Sequence, residues 1–359
     1  MINKNFISNN NILTIRKPDD FHVHLRENDI LKTVLPYTSR IFKRAIVMPN
    51  LANPITNLSQ AYEYKKNICA AIPKNHKFEP LITCYLTENF NKNILIKGFL
   101  EKIFIAAKMY LSHTTTNSHH GINKIKKIFP ILEIMQKIGM ILLIHGELYN
   151  KNIDVFARES KFINNIMQPI RRLFPQLKVV LEHISTKESV DYVISESIYL
   201  GATITPHHLM FNRNDMLSEK IKPHFYCFPL LKKEQDQLAL QAALSSNCNR
   251  FFLGTDSAPH AISNKECDQG FAGIFNAPIA LEMYATIFDD LNILDKLEEF
   301  CSINGALFYN LPINKEKINL FKSSYKPKEK KKLKINKNEY IVPLFFNKKL
   351  KWTTRLNKK

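Results

Sequence analysis

The feature that most constrains the fold is a rhythm: eight short apolar runs rich in β-branched residues recur from residue 19 onward, with amphipathic stretches between them. They are DDFHVHL (19–25), RAIVMPN (44–50), PLITCYL (80–86), IFIAAKMYL (103–111), MILLIHGE (140–147), KVVLEHI (178–184), GATITPHHL (201–209) and RFFLGTDSAPH (250–260). Intervening segments such as NLSQAYEYKKNICAAI (57–72) and KEQDQLALQAALSSN (233–247) carry helical spacing. Near-continuous apolar strands alternating with helices specify a parallel sheet covered by helices. Eight of them predict an α/β chain closed into a (β/α)8 TIM barrel.

The polar residues sharpen this reading. Most runs end in a chemically capable group: His22 and His24, Asn50, Lys108, His145, His183 and Asp256. In such barrels the active site is built at the C-terminal ends of the strands, so these side chains are expected to converge on one mouth. In a strand the alternation of side chains puts His22 and His24 on one face.

Length and composition bound the alternatives. The 359 residues, 45% of them apolar, accommodate one large barrel domain with a sizeable core. No apolar run approaches the ~18 residues needed to cross a bilayer, and the opening MINKNFISNN lacks the apolar core of a signal peptide, so a cytoplasmic protein with no membrane contact is expected. Six scattered cysteines without a CxxC pair read as free thiols. The net charge of +19 suggests nucleic acid, but the lysines are spread along the chain and no recognition motif accompanies them, so no nucleic-acid partner is expected. The densest basic run, KPKEKKKLKINK (326–337), reads as a solvated linker. Residues 277–305 read as helices outside the barrel. The division expected is a barrel domain over 1–312 and a basic C-terminal extension over 313–359, with one strand-like piece, EYIVPLFF (339–346).

A hydrolytic metal site needs nitrogen or oxygen ligands and an open position for water. A pair of dications ~3.5–4 Å apart needs a bridging anion as well. The four strand-end histidines and Asp256 supply ligands, and Lys108 is the unusual member. A lysine in a buried strand either snorkels to the strand end or, as a neutral amine, takes up carbon dioxide to become a carbamate. The second course turns a cation into the anion that a metal pair requires.

The segments DDFHVHLREN, VMPNLANPIT, AAKMYLSHTTTNSHHG, LLIHGE, LEHISTK, ATITPHHLMFNRN and FLGTDSAPH together resemble the class II type of bacterial dihydroorotase in the amidohydrolase superfamily. The resemblance runs from about residue 12 to 312, with a fainter echo in VPLFFNKKLKW. It implies a TIM barrel of the metal-dependent amidohydrolase type and two Zn2+ per subunit. His22, His24 and Asp256 would hold one zinc, His145 and His183 the other, and N6-carboxylated Lys108 would bridge them. It implies that Arg26, Asn50 and His260 hold a substrate carboxylate, that backbone groups of Phe228 and Ala272 address a pyrimidine ring, and that Thr115 and Thr116 belong to a mobile loop. The implied reaction is the reversible cyclisation of N-carbamoyl-L-aspartate to L-dihydroorotate in pyrimidine synthesis, through a hydroxide bridging two zincs, with Asp256 as general acid and base. A homodimer is implied too.

Several readings stay open at this level. His260 either contacts substrate or stands behind a residue that does. Asp20 either orients an imidazole or caps a turn, and the same holds for Glu182. The pairs His119–His120 and His207–His208 are left out of the site, because adjacent residues on a strand face opposite ways. FAGIF (271–275) stands where relatives often carry CAGC, which removes thiols but no expected ligand. The rivals are another cyclic amidase, such as a hydantoinase or dihydropyrimidinase, and a catalytically dead barrel kept as an assembly partner.

Overall fold

A computed structural model describes residues 7–8, 11–327 and 331–355. Eight parallel strands form one sheet in which neighbours in sequence are neighbours in space. They are Asp20–Val23, Arg44–Val47, Glu79–Leu86, Ala106–Met109, Ile141–His145, Val179–Glu182, Leu200–Ile204 and Phe251–Leu253, and each overlaps one of the expected runs. The first and last strands meet at the mouth through a parallel Val23–Ser257 bridge. His24 N donates to Ser257 O at 3.0 Å and Asp256 N to His22 O at 2.9 Å. Asp20 reinforces this closure: its carboxylate accepts from His22 N (3.1 Å), Thr255 N (2.9 Å) and the Thr255 hydroxyl (2.6 Å).

The outer helices follow from their caps and stripes. The helix Leu58–Ala71 begins where Asn57 accepts a hydrogen bond from Gln60 N, and it buries Ala61, Tyr64 and Ile68 at helical spacing. Beneath the mouth the barrel is plugged by apolar side chains. Ala106, Leu143 and Val180 lie in this plug, each two residues before Lys108, His145 and Glu182 on the same strand face. Phe21 and Phe252 pack edge to face at 5.2 Å, and the helix Asn304–Phe308 closes the floor below them. A Cβ at Gly305 would lie 2.2 Å from the Phe21 ring, so the helix approaches this closely only with glycine there.

The last part of the chain returns to its beginning. Lys317–Tyr325 pairs antiparallel with Ile12–Arg16 on one side and Leu350–Thr353 on the other. The strand expected over 339–346 is reduced to Tyr340–Ile341, since Pro343 has no N–H to give a ladder. Of the basic run 326–337, residues 328–330 lie outside the described residues. The run 201–209 also differs from expectation: after Ile204 the chain turns into a short helix, Pro206–Met210, with proline in its first turn and Thr205 accepting from His208 N. No helix among the described residues is long and apolar enough to cross a membrane.

Candidate metal centre and active site

All six expected ligand residues arrive at the C-terminal mouth, within or just beyond the strands of the runs that carry them. His22 and Lys108 lie inside strands, His145 ends one, and His24, His183 and Asp256 follow directly or within three residues. The chain turns sharply here: Arg26, His183 and Asp256 adopt left-handed backbone angles (φ +59°, +43° and +44°), each costing about 1–3 kcal/mol for a residue with a Cβ. Strain of this kind is held only where the surroundings over-determine it, and the ladder and bridge contacts at the mouth do so.

The four imidazoles form a chain. Ring centroids are 5.3 Å apart for His24–His22, 4.9 Å for His22–His183 and 4.8 Å for His183–His145. Two of their outward nitrogens are held by carboxylates. His22 Nδ1 donates to Glu182 Oε2 at 2.7 Å, and His145 Nε2 to Glu147 Oε2 at 3.1 Å. In a neutral ring this leaves a lone pair on the other nitrogen. The inward nitrogens of the four rings converge. His22 Nε2 lies 3.4 Å from His24 Nε2 and 3.4 Å from Asp256 Oδ1, and His24 Nε2 lies 3.2 Å from the same oxygen. His145 Nδ1 faces His183 Nε2 at 3.2 Å. With its Nδ1 proton given to Glu182, His22 Nε2 faces the Asp256 oxygen as acceptor to acceptor, a pair that repels unless a proton or a cation lies between them, and carboxylate-oriented histidines are the usual support of a metal site. The donor set fits divalent metal: His22, His24 and Asp256 could hold one ion, and His145 and His183 a second.

Lys108 is fully buried and its Nζ has no hydrogen-bond partner. Burial lowers its pKa to about 8, against the opposing pull of Glu182 and Asp256. Its charge bears on His22, His24 and His183. These three imidazoles are held well below their usual range, chiefly by burial. Burial raises Asp256 to about 6 and Glu182 to about 7, with Lys108 pulling both down. An isolated buried ammonium is costly, whereas an amine near neutrality is the reactive form toward carbon dioxide.

A cavity of about 20 Å³ lies among these groups, lined also by Arg26, Asn50, Thr115, Thr116, Phe228 and Ala272. His260 stands behind it, its Nε2 3.0 Å from Arg26 Nη2 and 3.0 Å from Ala272 O. The loop carrying Thr115 and Thr116 is folded over the opening: Asn50 Nδ2 donates to Thr116 O (3.0 Å) and Asn117 Nδ2 to Asn50 O (3.1 Å). The cavity takes one or two waters, not an organic ring. Larger cavities of about 440 and 1000 Å³ lie beside the C-terminal segment and share no residue with the histidine cluster.

The supporting residues were only partly foreseen. Glu182 does orient an imidazole, that of His22, and Thr203 holds it by donating to the same oxygen at 2.6 Å. Asp20 instead binds backbone, tying the His22 strand to the Asp256 turn. Glu147 and Thr203 were missed. Glu147, two residues after His145, could have been found by the same period-2 reading that pairs His22 with His24. His207, His208 and Cys227 also cluster, with potential ligand atoms within 4.8 Å of one another. His208, however, commits both nitrogens to Thr205 Oγ1 (2.8 Å) and Pro229 O (3.0 Å). Asn276 Nδ2 donates to His207 Nδ1, so the proton of that neutral ring sits on Nε2 and leaves no lone pair for a metal.

Comparison with known proteins gives the family. The amidohydrolase family model matches residues 19–320. A dihydroorotase of Yersinia pestis (strain Pestoides F) is 51% identical over 343 residues, covering 96% of this chain and 98% of that one. The crystal structure of dihydroorotase from Campylobacter jejuni superposes with a TM-score of 0.87 at 32% identity, covering 98% of this chain and 99% of that chain. A dihydroorotase from Saccharomyces cerevisiae, in complex with 5-fluoroorotic acid, gives 0.86 at 28% identity over 96% of this chain and 98% of that one. The chain belongs to the amidohydrolase family and, within it, to the dihydroorotases.

Proposed function

We propose that this protein catalyses the reversible cyclisation of N-carbamoyl-L-aspartate to L-dihydroorotate with release of water. The observation that carries the reading is the convergence of four imidazoles and Asp256 at the mouth that also buries an unpartnered Lys108, with Arg26 on the same cavity. His22, His24 and Asp256 would hold one Zn2+ and His145 and His183 a second, bridged by Lys108 as its N6-carboxylate. Bound there, the metals would supply a water acidified toward neutrality and polarise the ring amide carbonyl.

The chain's own residues do the rest. Arg26, Asn50 and His260 hold the α-carboxylate. Without substrate, Arg26 and the Ala272 carbonyl compete for one nitrogen of His260, which cannot accept from one and donate to the other at once. An anion that takes up Arg26 relieves this competition. In the hydrolytic direction Asp256 accepts the proton of the attacking water and returns it to the leaving ring nitrogen. In the biosynthetic direction it takes that proton from the ureido nitrogen. Backbone groups of Phe228 and Ala272 address the ring, and the Thr115–Thr116 loop opens for entry, since the closed cavity is too small for the substrate. The family resemblance supports a homodimer. The chain is divided as a barrel through residue 312 and an extension, 313–359, that shares a sheet with the N-terminal strand.

The test is hydrolysis of L-dihydroorotate by the zinc-loaded protein, with hydantoin and dihydrouracil in parallel. Selective turnover of dihydroorotate is expected. Turnover of only the uncharged rings would assign the site to another cyclic amidase and remove the carboxylate roles of Arg26 and Asn50. No turnover with two metals bound would favour a dead barrel.

A further inference from the structure

Outside the metal centre, one buried charge has a distinctive set of partners. Lys265, at the end of the short helix Ile262–Lys265, is 3% exposed. Its Nζ donates to three backbone carbonyls, Tyr226 O at 3.0 Å, Phe271 O at 2.8 Å and Gly273 O at 2.8 Å. No carboxylate forms an ion pair with it among the described residues. These carbonyls belong to the two loops that carry Phe228 and Ala272. The loops are otherwise tied by Gly273 N donating to Tyr226 O at 2.9 Å. Gly273 has φ +152°, and a Cβ there would lie 2.4 Å from Ala258 O and 2.8 Å from His260 Cδ2, so the loop is pressed onto the substrate side of the cavity.

We propose that Lys265 is a positioning residue for substrate recognition, holding the Phe228 and Ala272 loops in register and strengthening the Ala272 N–H as a donor to the pyrimidine ring. The second effect follows from peptide resonance. The Phe271 carbonyl and the Ala272 N–H are one peptide unit, so an ammonium on that oxygen draws electron density from that nitrogen and makes its hydrogen a better donor. The Ala272 N–H has no backbone acceptor among the described residues, and Ala272 lines the cavity. Its position suits a ring carbonyl. Three carbonyls converging on one point suit the compact ammonium of lysine, not the planar fork of arginine.

The proposal rests on the dihydroorotase reading above. Its test compares zinc-loaded wild type, Lys265→Met and Lys265→Arg. The readouts are kcat and KM for L-dihydroorotate, the dissociation constant of 5-fluoroorotate as a ring-bearing probe, and metal content. For Lys265→Met, KM and the probe's dissociation constant are expected to rise about tenfold or more, with kcat within about threefold and metal content unchanged. Lys265→Arg keeps the charge but not the three-way geometry, and a smaller rise is expected. If Lys265→Met does not fold, Lys265→Arg decides by the same readouts. Unchanged KM and probe affinity in a folded variant would overturn the proposal, as would a fall in kcat alone. A wild type that neither turns over dihydroorotate nor binds the probe fails the functional reading instead, so the two failures are distinguishable.

Discussion

The floor and the mouth of the barrel are made by the same strands, two residues apart. At the floor Ala106, Leu143 and Val180 are buried among Phe21 and Phe252. One pleat higher, about 6–7 Å along each strand, the same face carries Lys108, His145 and Glu182, just as deeply buried. The floor is an apolar plug held by dispersion contacts, with the buried Tyr309 hydroxyl its one polar side-chain atom lacking a partner among the described residues. The mouth is a buried polar assembly whose partners are incomplete, with Lys108 Nζ, His183 Nδ1, Glu182 Oε1 and Glu147 Oε1 all lacking a hydrogen bond. Native interiors rarely leave so many polar atoms unmatched in one place unless a ligand is to match them. The floor stabilises the barrel, and the mouth uses that stability to hold charges and strained backbone together.

The comparison breaks most sharply at Lys108. Lys108→Ala is expected to lower turnover about a thousandfold or more and to abolish two-metal stoichiometry while circular dichroism stays native. Metal analysis and kcat check this, and full activity would remove the lysine from the centre. Glu182→Gln keeps the shape but weakens the charge that orients His22, so metal affinity should fall about 10- to 100-fold, read by competition with a chelator. Arg26→Ala should raise KM for dihydroorotate about tenfold through loss of a charge-assisted carboxylate contact, with little change toward uncharged rings. The smallest effect on chemistry belongs to the floor. Leu143→Ala should cost about 2–5 kcal/mol of stability by denaturant unfolding yet leave kcat within about twofold. If Leu143→Ala instead lost its metals, floor and mouth would be one cooperative unit and the contrast would fail.

The strand-end residues were legible because β structure has period 2 and a parallel barrel gathers its strand ends, so local pattern and global geometry point the same way. The Pro206–Met210 helix was not, since GATITPHHL has the apolar density of a strand and only Pro206 hints at the turn. The Lys317–Tyr325 strand was hidden similarly. It lies outside the barrel with only Leu320 buried, and its partners lie some 300 residues earlier and about 30 later. Glu147 was legible in principle, while Thr203 was not, because it touches Glu182 across two strands, nor was Lys265, whose three carbonyls are gathered on one point only by the folding of two loops.

By itself the sequence determined the barrel, its eight strands and the ligand-type residues at their ends, because hydrophobic periodicity is local and the chain's direction decides which end carries the chemistry. Only the tertiary structure decided which nitrogen of each histidine faces inward, which carboxylate stands behind His22, and that a lysine ammonium gathers three carbonyls of the loops carrying Phe228 and Ala272. Those are contacts between strands and loops far apart in the chain, and a hydrogen bond depends on angles and distances of a few ångströms that no residue spacing encodes.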